Sequence, residues 1–262
     1  MTGTAKFWCI ASISAALLLA SASCADTKGV QRNYAENAKD NYDKGEAAFK
    51  AKAWQEAIDY FNQVRNKFPY SKYAVVSELR AADALYEDEK YIEAVEAYKM
   101  FLRMHPSNEK APHAMFRAGM CYYKQMPKDW FFMPPTYEED QTQVKAALEA
   151  MQQFLSRYPD SPDAKSAAEA AGKCRTRLAK HEMYVAEYYL KRERWKAAEA
   201  RIRGLMEIYP GMGLDDEAML ILAKSLLGQG RRDEARDVLT RLEAEFPDSG
   251  NAKKARSMIN KL

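Results

Sequence analysis

The chain has 262 residues, with 40 Lys and Arg against 37 Asp and Glu, giving a formal net charge of +3. So even and interspersed a balance excludes the basic stripe of a nucleic-acid-binding protein. Three histidines, none in an H-x-x-x-H pair, and the lack of any C-x-x-C exclude the common metal-ligand spacings.

The first segment, residues 1–23, carries one positive charge at Lys6 and then an uncharged apolar run to about Ala20. This predicts a secretory signal, too short and wrongly flanked to span a membrane. It ends at Cys24 after Ser21-Ala22-Ser23, which resembles the lipobox of bacterial lipoproteins, although leucine is usual where Ser21 stands. The lipobox likeness implies cleavage before Cys24 and a covalent lipid there, diacylglycerol plus an N-acyl chain such as palmitate. Ala25 rather than Asp follows, which by the same analogy implies sorting to the outer membrane. Residues 24–38 hold few large apolar side chains and are expected to be a lipidated tether. Loss of 1–23 removes only Lys6, so the net charge falls from +3 to +2. Cys121 and Cys174 then remain as thiols. The periplasm permits a disulfide, but two buried free thiols are expected.

From residue 39 onward an internal repeat dominates. Five times an alanine is followed twelve residues later by a proline: Ala57/Pro69, Ala94/Pro106, Ala147/Pro159, Ala198/Pro210 and Ala235/Pro247. In the second copy Ala94, Tyr98, Phe101 and Leu102 fall at helical spacing, with Glu93, Glu96 and Lys99 off that stripe. Each proline marks a helix end, because it lacks the amide hydrogen that a helix interior needs. A small residue lies twelve before the alanine at Gly45, Ala82, Ala186 and Ala223, which predicts close helix pairs. A bulky apolar residue follows each alanine by four: Phe61, Tyr98, Met151, Ile202 and Leu239. This pattern resembles the tetratricopeptide (TPR) repeat, with Trp54 and Tyr91 in inter-helix turns. The expected fold is all-α, a superhelix of five helical hairpins.

The spacing is not uniform. Proline-to-proline intervals are 37, 53, 51 and 37. In the third repeat the small residue is Gly119, 28 rather than 12 before Ala147, which implies an insertion at 125–140. Between Pro159 and Ala186 the extra length predicts one long helix, from about Asp163 to Leu190, joining repeats 3 and 4. The expected organisation is therefore three repeats in 39–162 and a long helix with two repeats in 163–262.

Catalytic motifs are missing: no G-x-S-x-G, no P-loop and no G-x-G-x-x-G occurs. Gly228-Gln229-Gly230 is expected to be a hairpin turn, and Glu138-Glu139 solvated loop charges. The chain is therefore expected not to be an enzyme and to need no metal or other cofactor. Tyr184, Tyr188 and Tyr189 are expected to fill inter-helix space. Trp130, Phe131, Phe132 and Met133 either fold back over a groove or expose a contact patch. In TPR arrays the first helix of each repeat faces the groove; here those helices carry Tyr42, Phe49, Leu79, Leu85, Tyr86, Phe116, Tyr122 and Tyr123.

Longer segments resemble one family. RLAKHEMYVAEYYLKRERWKAAEARIRGLMEIYP (177–210), NYDKGEAAFKAKAWQEAIDYFNQVRNKFPYSKYA and EDQTQVKAALEAMQQFLSRYPDS are similar to the BamD family of TPR lipoproteins. These belong to the outer-membrane β-barrel assembly (BAM) machinery. The resemblance implies a periplasm-facing scaffold held to the outer membrane only by its lipid. It implies docking of the C-terminal repeats on a POTRA domain of BamA, reception of C-terminal strands of unfolded outer-membrane proteins, and contact with other BAM lipoproteins. The interface arginine it implies falls on Arg201, with Arg194, Glu187 and Arg203 around it; substrate contacts are placed at Tyr60, Phe61 and Tyr73. The alternative is another outer-membrane TPR lipoprotein, such as a secretin pilotin or a Tol–Pal accessory protein. Regular 34-residue repeats in the first, and an N-terminal coiled coil in the second, fit this chain less well.

Overall fold

The computed structural model describes residues 27–128, 132 and 135–262. Among these residues the chain forms eleven α-helices, one short 3-10 turn and no strand. The helices are α1 (Thr27–Lys50), α2 (Trp54–Lys67), α3 (Lys72–Glu87), α4 (Tyr91–Met104), α5 (Ala111–Lys124), α6 (Thr142–Arg157), α7 (Ala164–Lys191), α8 (Trp195–Ile208), α9 (Asp215–Gly228), α10 (Arg232–Glu245) and α11 (Gly250–Ile259). α1–α2, α5–α6, α7–α8 and α9–α10 pack as helical hairpins, α3 and α4 carry the landmarks of the second repeat, and α11 follows the last hairpin.

The repeat landmarks are the core. All five alanines that open the pattern are 0% exposed, and so are Phe61, Tyr98, Met151, Ile202 and Leu239 four residues on. The reason is geometric: residues i and i+4 lie one above the other on a helix face, so a small and a large side chain can alternate against a neighbour. Gly45 shows how tight the fit is, since a Cβ there would stand 2.7 Å from the Phe61 ring. Four of the second helices stop in the same way. Phe68, Tyr158, Tyr209 and Phe246 leave helical geometry with φ between −127° and −135° and ψ between 49° and 60°, each immediately before its proline. A residue preceding proline is sterically pushed from the α region.

The turns within hairpins share a single device. Lys52, Glu89, Glu193 and Gly230 all have positive φ, at 59°, 58°, 56° and 78°. The next residue's amide then donates back to a carbonyl five positions earlier: Ala53 to Ala48, Lys90 to Leu85, Arg194 to Tyr189 and Arg231 to Leu226, at 2.9–3.0 Å. This left-handed C-cap satisfies carbonyls that the helix end would otherwise orphan. Gly228-Gln229-Gly230 is such a turn. The third hairpin alone replaces it, with 125–141 lying between α5 and α6.

α7 is the long helix, and α6 and α8 both pack against it. One expectation is overturned at the N-terminal end. Residues 27–38, expected to be part of a tether, begin α1. Ala38 is fully buried, and the Tyr34 ring packs edge-on to Phe68 with centroids 5.0 Å apart. The stripe Tyr34, Ala38, Tyr42, Gly45 carries the first repeat's apolar face two turns further back.

Compactness divides the chain after Lys90, into one unit through Lys90 and another from Tyr91 to Leu262. The expected division at 162/163 is not a boundary of this kind. In the first unit α1, α2 and α3 pack around Ala48, Ala57, Ile58, Phe61, Ala81 and Ala84. In the second, consecutive helices from α4 to α11 pack pairwise, with cores centred on Met151, Phe154 and Leu178, on Ile202, Leu205 and Leu226, and on Leu239 and Leu242. Cys121 and Cys174 are free and buried. Burial pushes their thiols up to about 12 and about 11 respectively, so neither carries appreciable thiolate at neutral pH.

Candidate partner-binding surfaces

Repeats 4 and 5 present charge in two separate arrays. Arg201 on α8 donates to Glu182 on α7 at 3.0 Å, closing the outer face of that hairpin with an ion pair that is still half exposed. Arg203 stands two residues, and therefore about 200°, further round the helix. It donates instead to Glu199 at 2.9 Å. Glu199 is the hub of the second array: Arg231 reaches both its oxygens at 3.0 and 2.8 Å, and Gln229 donates at 2.8 Å. Burial works to raise the Glu199 carboxyl, but hydrogen bonds from Gln229, Arg203 and Arg231 outweigh it and hold it below the ordinary carboxylate range. Arg194 caps the start of α8 in an exposed position, and Glu187 lies 3.9 Å from Lys191. Arg194 and Arg201 are seven apart and share a face of α8, while Arg203 belongs to another. The four expected interface residues thus do not form one patch.

The first unit carries an aromatic cluster with a charged centre. Tyr42 on α1 lies 5.2 Å from Tyr73 on α3 and 5.9 Å from Phe61, centroid to centroid. Beside them Arg80 donates to both oxygens of Glu46, at 2.5 and 3.1 Å, and to Asp83 at 3.2 Å. Its guanidinium carbon sits 3.9 Å from the Phe49 ring centroid, a cation–π distance. Burial first, then the nearby Glu46, pushes the Tyr42 phenol up to about 12, so it stays protonated. Of the expected substrate contacts, Tyr73 and Tyr60 are half-buried, but Phe61 is 0% exposed. Phe61 is therefore withdrawn as a contact residue: it is on the second helix of its hairpin and fills the space beside Gly45. Arg80 and Glu46 were not singled out by sequence, since a charged residue on a helix gives no sign that it is half-buried.

A third locus was also missed. Arg177, midway along α7, ties down both ends of the insertion. It donates to the Pro127 carbonyl at 2.7 Å, to the Thr136 carbonyl at 2.9 Å and to the Gln141 side chain at 3.0 Å. Gln141, 3% exposed, in turn donates to the carbonyls of Thr136 and Glu139, both at 2.8 Å. One turn on, His181 Nδ1 lies 2.6 Å from the Tyr137 carbonyl oxygen, which makes it the protonated ring nitrogen. The Tyr137 and Tyr184 rings meet at 6.2 Å. Arg177, His181 and Tyr184, at i, i+4 and i+7 on one helix face, were the available signal. Of the four-residue apolar run in the insertion, Phe132 is 77% exposed, whereas Trp130, Phe131 and Met133 lie outside the described residues.

Comparison with known proteins gives the chain a family. The family model described as YfiO, outer membrane lipoprotein, matches residues 34–241. The chain belongs to this family. The matched span opens inside α1 and closes inside α10, and so takes in all three loci above. Among curated relatives, the outer membrane protein assembly factor BamD of Caulobacter vibrioides is 29% identical over 194 residues. That alignment covers 74% of this chain and 61% of the relative, so the chain spans less than two thirds of the relative's length. BamD of Vibrio cholerae is 28% identical over 174 residues, 64% of this chain and 71% of that protein. A solved structure, the TPR2AB-domain:pHSP90-complex of yeast Sti1, aligns over 86% of this chain and 83% of its own at 15% identity, with a TM-score of 0.43 that supports no further comparison. Cys24, where the family's lipid would be expected, precedes the described residues. No described helix of this YfiO-family chain is long and apolar enough to cross a membrane.

Proposed function

We propose that the chain is a scaffold of the outer-membrane β-barrel assembly machinery, anchored by lipid on Cys24 and facing the periplasm. In this reading repeats 4 and 5 dock on a POTRA domain of BamA, and the N-terminal repeats receive C-terminal strands of unfolded outer-membrane proteins. Other lipoproteins of the machinery attach to the same body. The observation that carries the reading is the family match over 34–241, which takes in all or most of each of the five repeats rather than one motif.

The physical role follows from the architecture. Hairpin repeats with well-packed cores are stiff, and outward charges, the exposed Arg194 and the half-exposed Arg201 beside Glu182, steer and orient a partner. Acyl chains contribute about 0.8 kcal/mol per buried methylene, so more than one chain on Cys24 holds the scaffold at the bilayer. Binding rather than bond-making is then the whole of its work. The test is affinity purification of the full-length tagged chain from detergent-solubilised membranes. Recovery of a barrel protein with POTRA domains is expected. Recovery of a secretin or of Tol components in its place overturns the assignment.

A further inference from the structure

Gly172 has no structural reason to be glycine. It lies inside α7, where glycine is the poorest residue after proline. Its φ is not in the left-handed region, and a Cβ built on it meets nothing within 4 Å. Gly45, Gly119 and Gly228 are forced, since a Cβ would approach Phe61, Met151 or Trp195 to 2.7, 3.0 or 2.3 Å, whereas Gly204 in α8 and Gly250 in α11 are as open as Gly172. What Gly172 borders instead is a cleft of about 740 Å³ between α7 and the ends of the insertion.

The cleft has two chemically different walls. Met126, Pro135 and Tyr137 form an apolar side. On α7, Lys173 and Lys180 line the other, seven residues and about 10 Å apart along the helix axis. Both are exposed, and neither forms an ion pair among the described residues. Arg177, between them, spends its hydrogen bonds on carbonyl and amide oxygens, which leave its charge uncompensated. Glu169 is the one carboxylate among the lining residues, against these three cations.

We propose that this cleft binds an extended, acidic segment of a partner protein. Its backbone passes over Gly172, where the missing side chain allows close approach. Its carboxylates meet Lys173 and Lys180, and an apolar residue between them rests on Met126, Pro135 and Tyr137. An extended chain advances about 3.3 Å per residue with alternate side chains on one face, so acidic residues two or four apart, about 7 or 13 Å, bracket the lysine spacing within the reach of the flexible lysine side chains. The Arg177 clasp makes the site possible by holding the apolar wall at a fixed distance from α7. The inference rests on the scaffold reading and adds a locus and a ligand chemistry to it.

The test uses the purified full-length chain and a fluorescein-labelled, end-capped peptide of alternating valine and glutamate, six residues long. Fluorescence anisotropy is expected to show saturable binding, weakened about tenfold when glutamine replaces glutamate in the peptide. Gly172→Leu fills the cleft and is expected to abolish saturable binding while raising Tm, because leucine favours the helix. The double change Lys173→Glu with Lys180→Glu is expected to weaken binding at least about tenfold. Lys196→Glu, an exposed charge on α8 outside the cleft, is expected to change it less than about twofold. Absence of binding, unchanged binding to Gly172→Leu, or an equal loss in Lys196→Glu each overturns the proposal. The membrane purification reports separately on the scaffold reading. Recovery of the POTRA protein alongside failed peptide binding removes the cleft alone.

Discussion

Arg201 and Glu182 illustrate how a residue can serve its own fold and a partner at once. The pair is half exposed on the arginine side, and exposed ion pairs contribute about 0–1 kcal/mol. Arg201→Glu would therefore cost little stability, yet it places two carboxylates against each other across the α7–α8 hairpin. Lost binding in that variant alone could not separate a missing contact from a disturbed hairpin. The swapped pair, Arg201→Glu with Glu182→Arg, restores the internal attraction and leaves the outward charge reversed. If Arg201 contacts the barrel-forming partner, co-purification falls in both the single and the swapped variants while helicity stays constant. Recovery of binding in the swap would assign Arg201 a purely internal role. Arg203 is a weaker candidate on the same grounds, because it and Arg231 both converge on Glu199.

Among elements, the hairpin turns make the sharpest comparison, since four of them solve one backbone problem with different residues. Gly230 occupies the left-handed position without penalty, whereas Lys52, Glu89 and Glu193 occupy it at about 1–2 kcal/mol each. Gly230→Ala is expected to destabilise by about 1 kcal/mol. Glu193→Gly, at an exposed position, is expected to stabilise by a few tenths to about 1 kcal/mol, the relief of strain less the added freedom of the unfolded chain. Thermal unfolding of both variants checks the pair, and matching signs would show that the turns do not share this geometry. These elements also mark what was legible beforehand. The alanines, the bulky residues after them and the prolines were readable because burial at 3.6-residue periodicity leaves a pattern in one chain. The turn at Gly228-Gln229-Gly230 was readable from its glycines, but the left-handed residues of the other three are charged, where glycine would have announced them. The Arg177 clasp joins residues 36 to 50 positions apart and leaves no local pattern at all. The start of α1 was legible in principle, in Tyr34 and Ala38, but the scarcity of large apolar residues around them masked it.

At the scale of the whole molecule, uneven repeat spacing is not the same thing as a break in the structure. The long intervals of 53 and 51 come from the insertion and from α7, and both fall within the unit from Tyr91 to Leu262. α7, the first helix of the fourth hairpin, packs against α6 of the third and runs from Ala164 to Lys191 without interruption, so the extra residues there add helical length rather than a hinge. The same logic applies at the membrane end. Since α1 starts at Thr27, only about 11 Å of extended chain can separate it from Cys24. A lipid on Cys24 would then hold the first hairpin against the bilayer surface rather than let it roam on a tether. Cys24→Ser is expected to move the chain from the membrane pellet to the soluble fraction. Ten Gly and Ser residues inserted after Ala25 would keep the lipid but add about 17 Å of root-mean-square reach. That variant is expected to pellet normally while lowering the yield of folded barrel protein, read by heat-modifiable electrophoretic mobility. Full yield with the linker would mean that the anchor supplies location only, and that the short distance from Cys24 to α1 has no part in assembly.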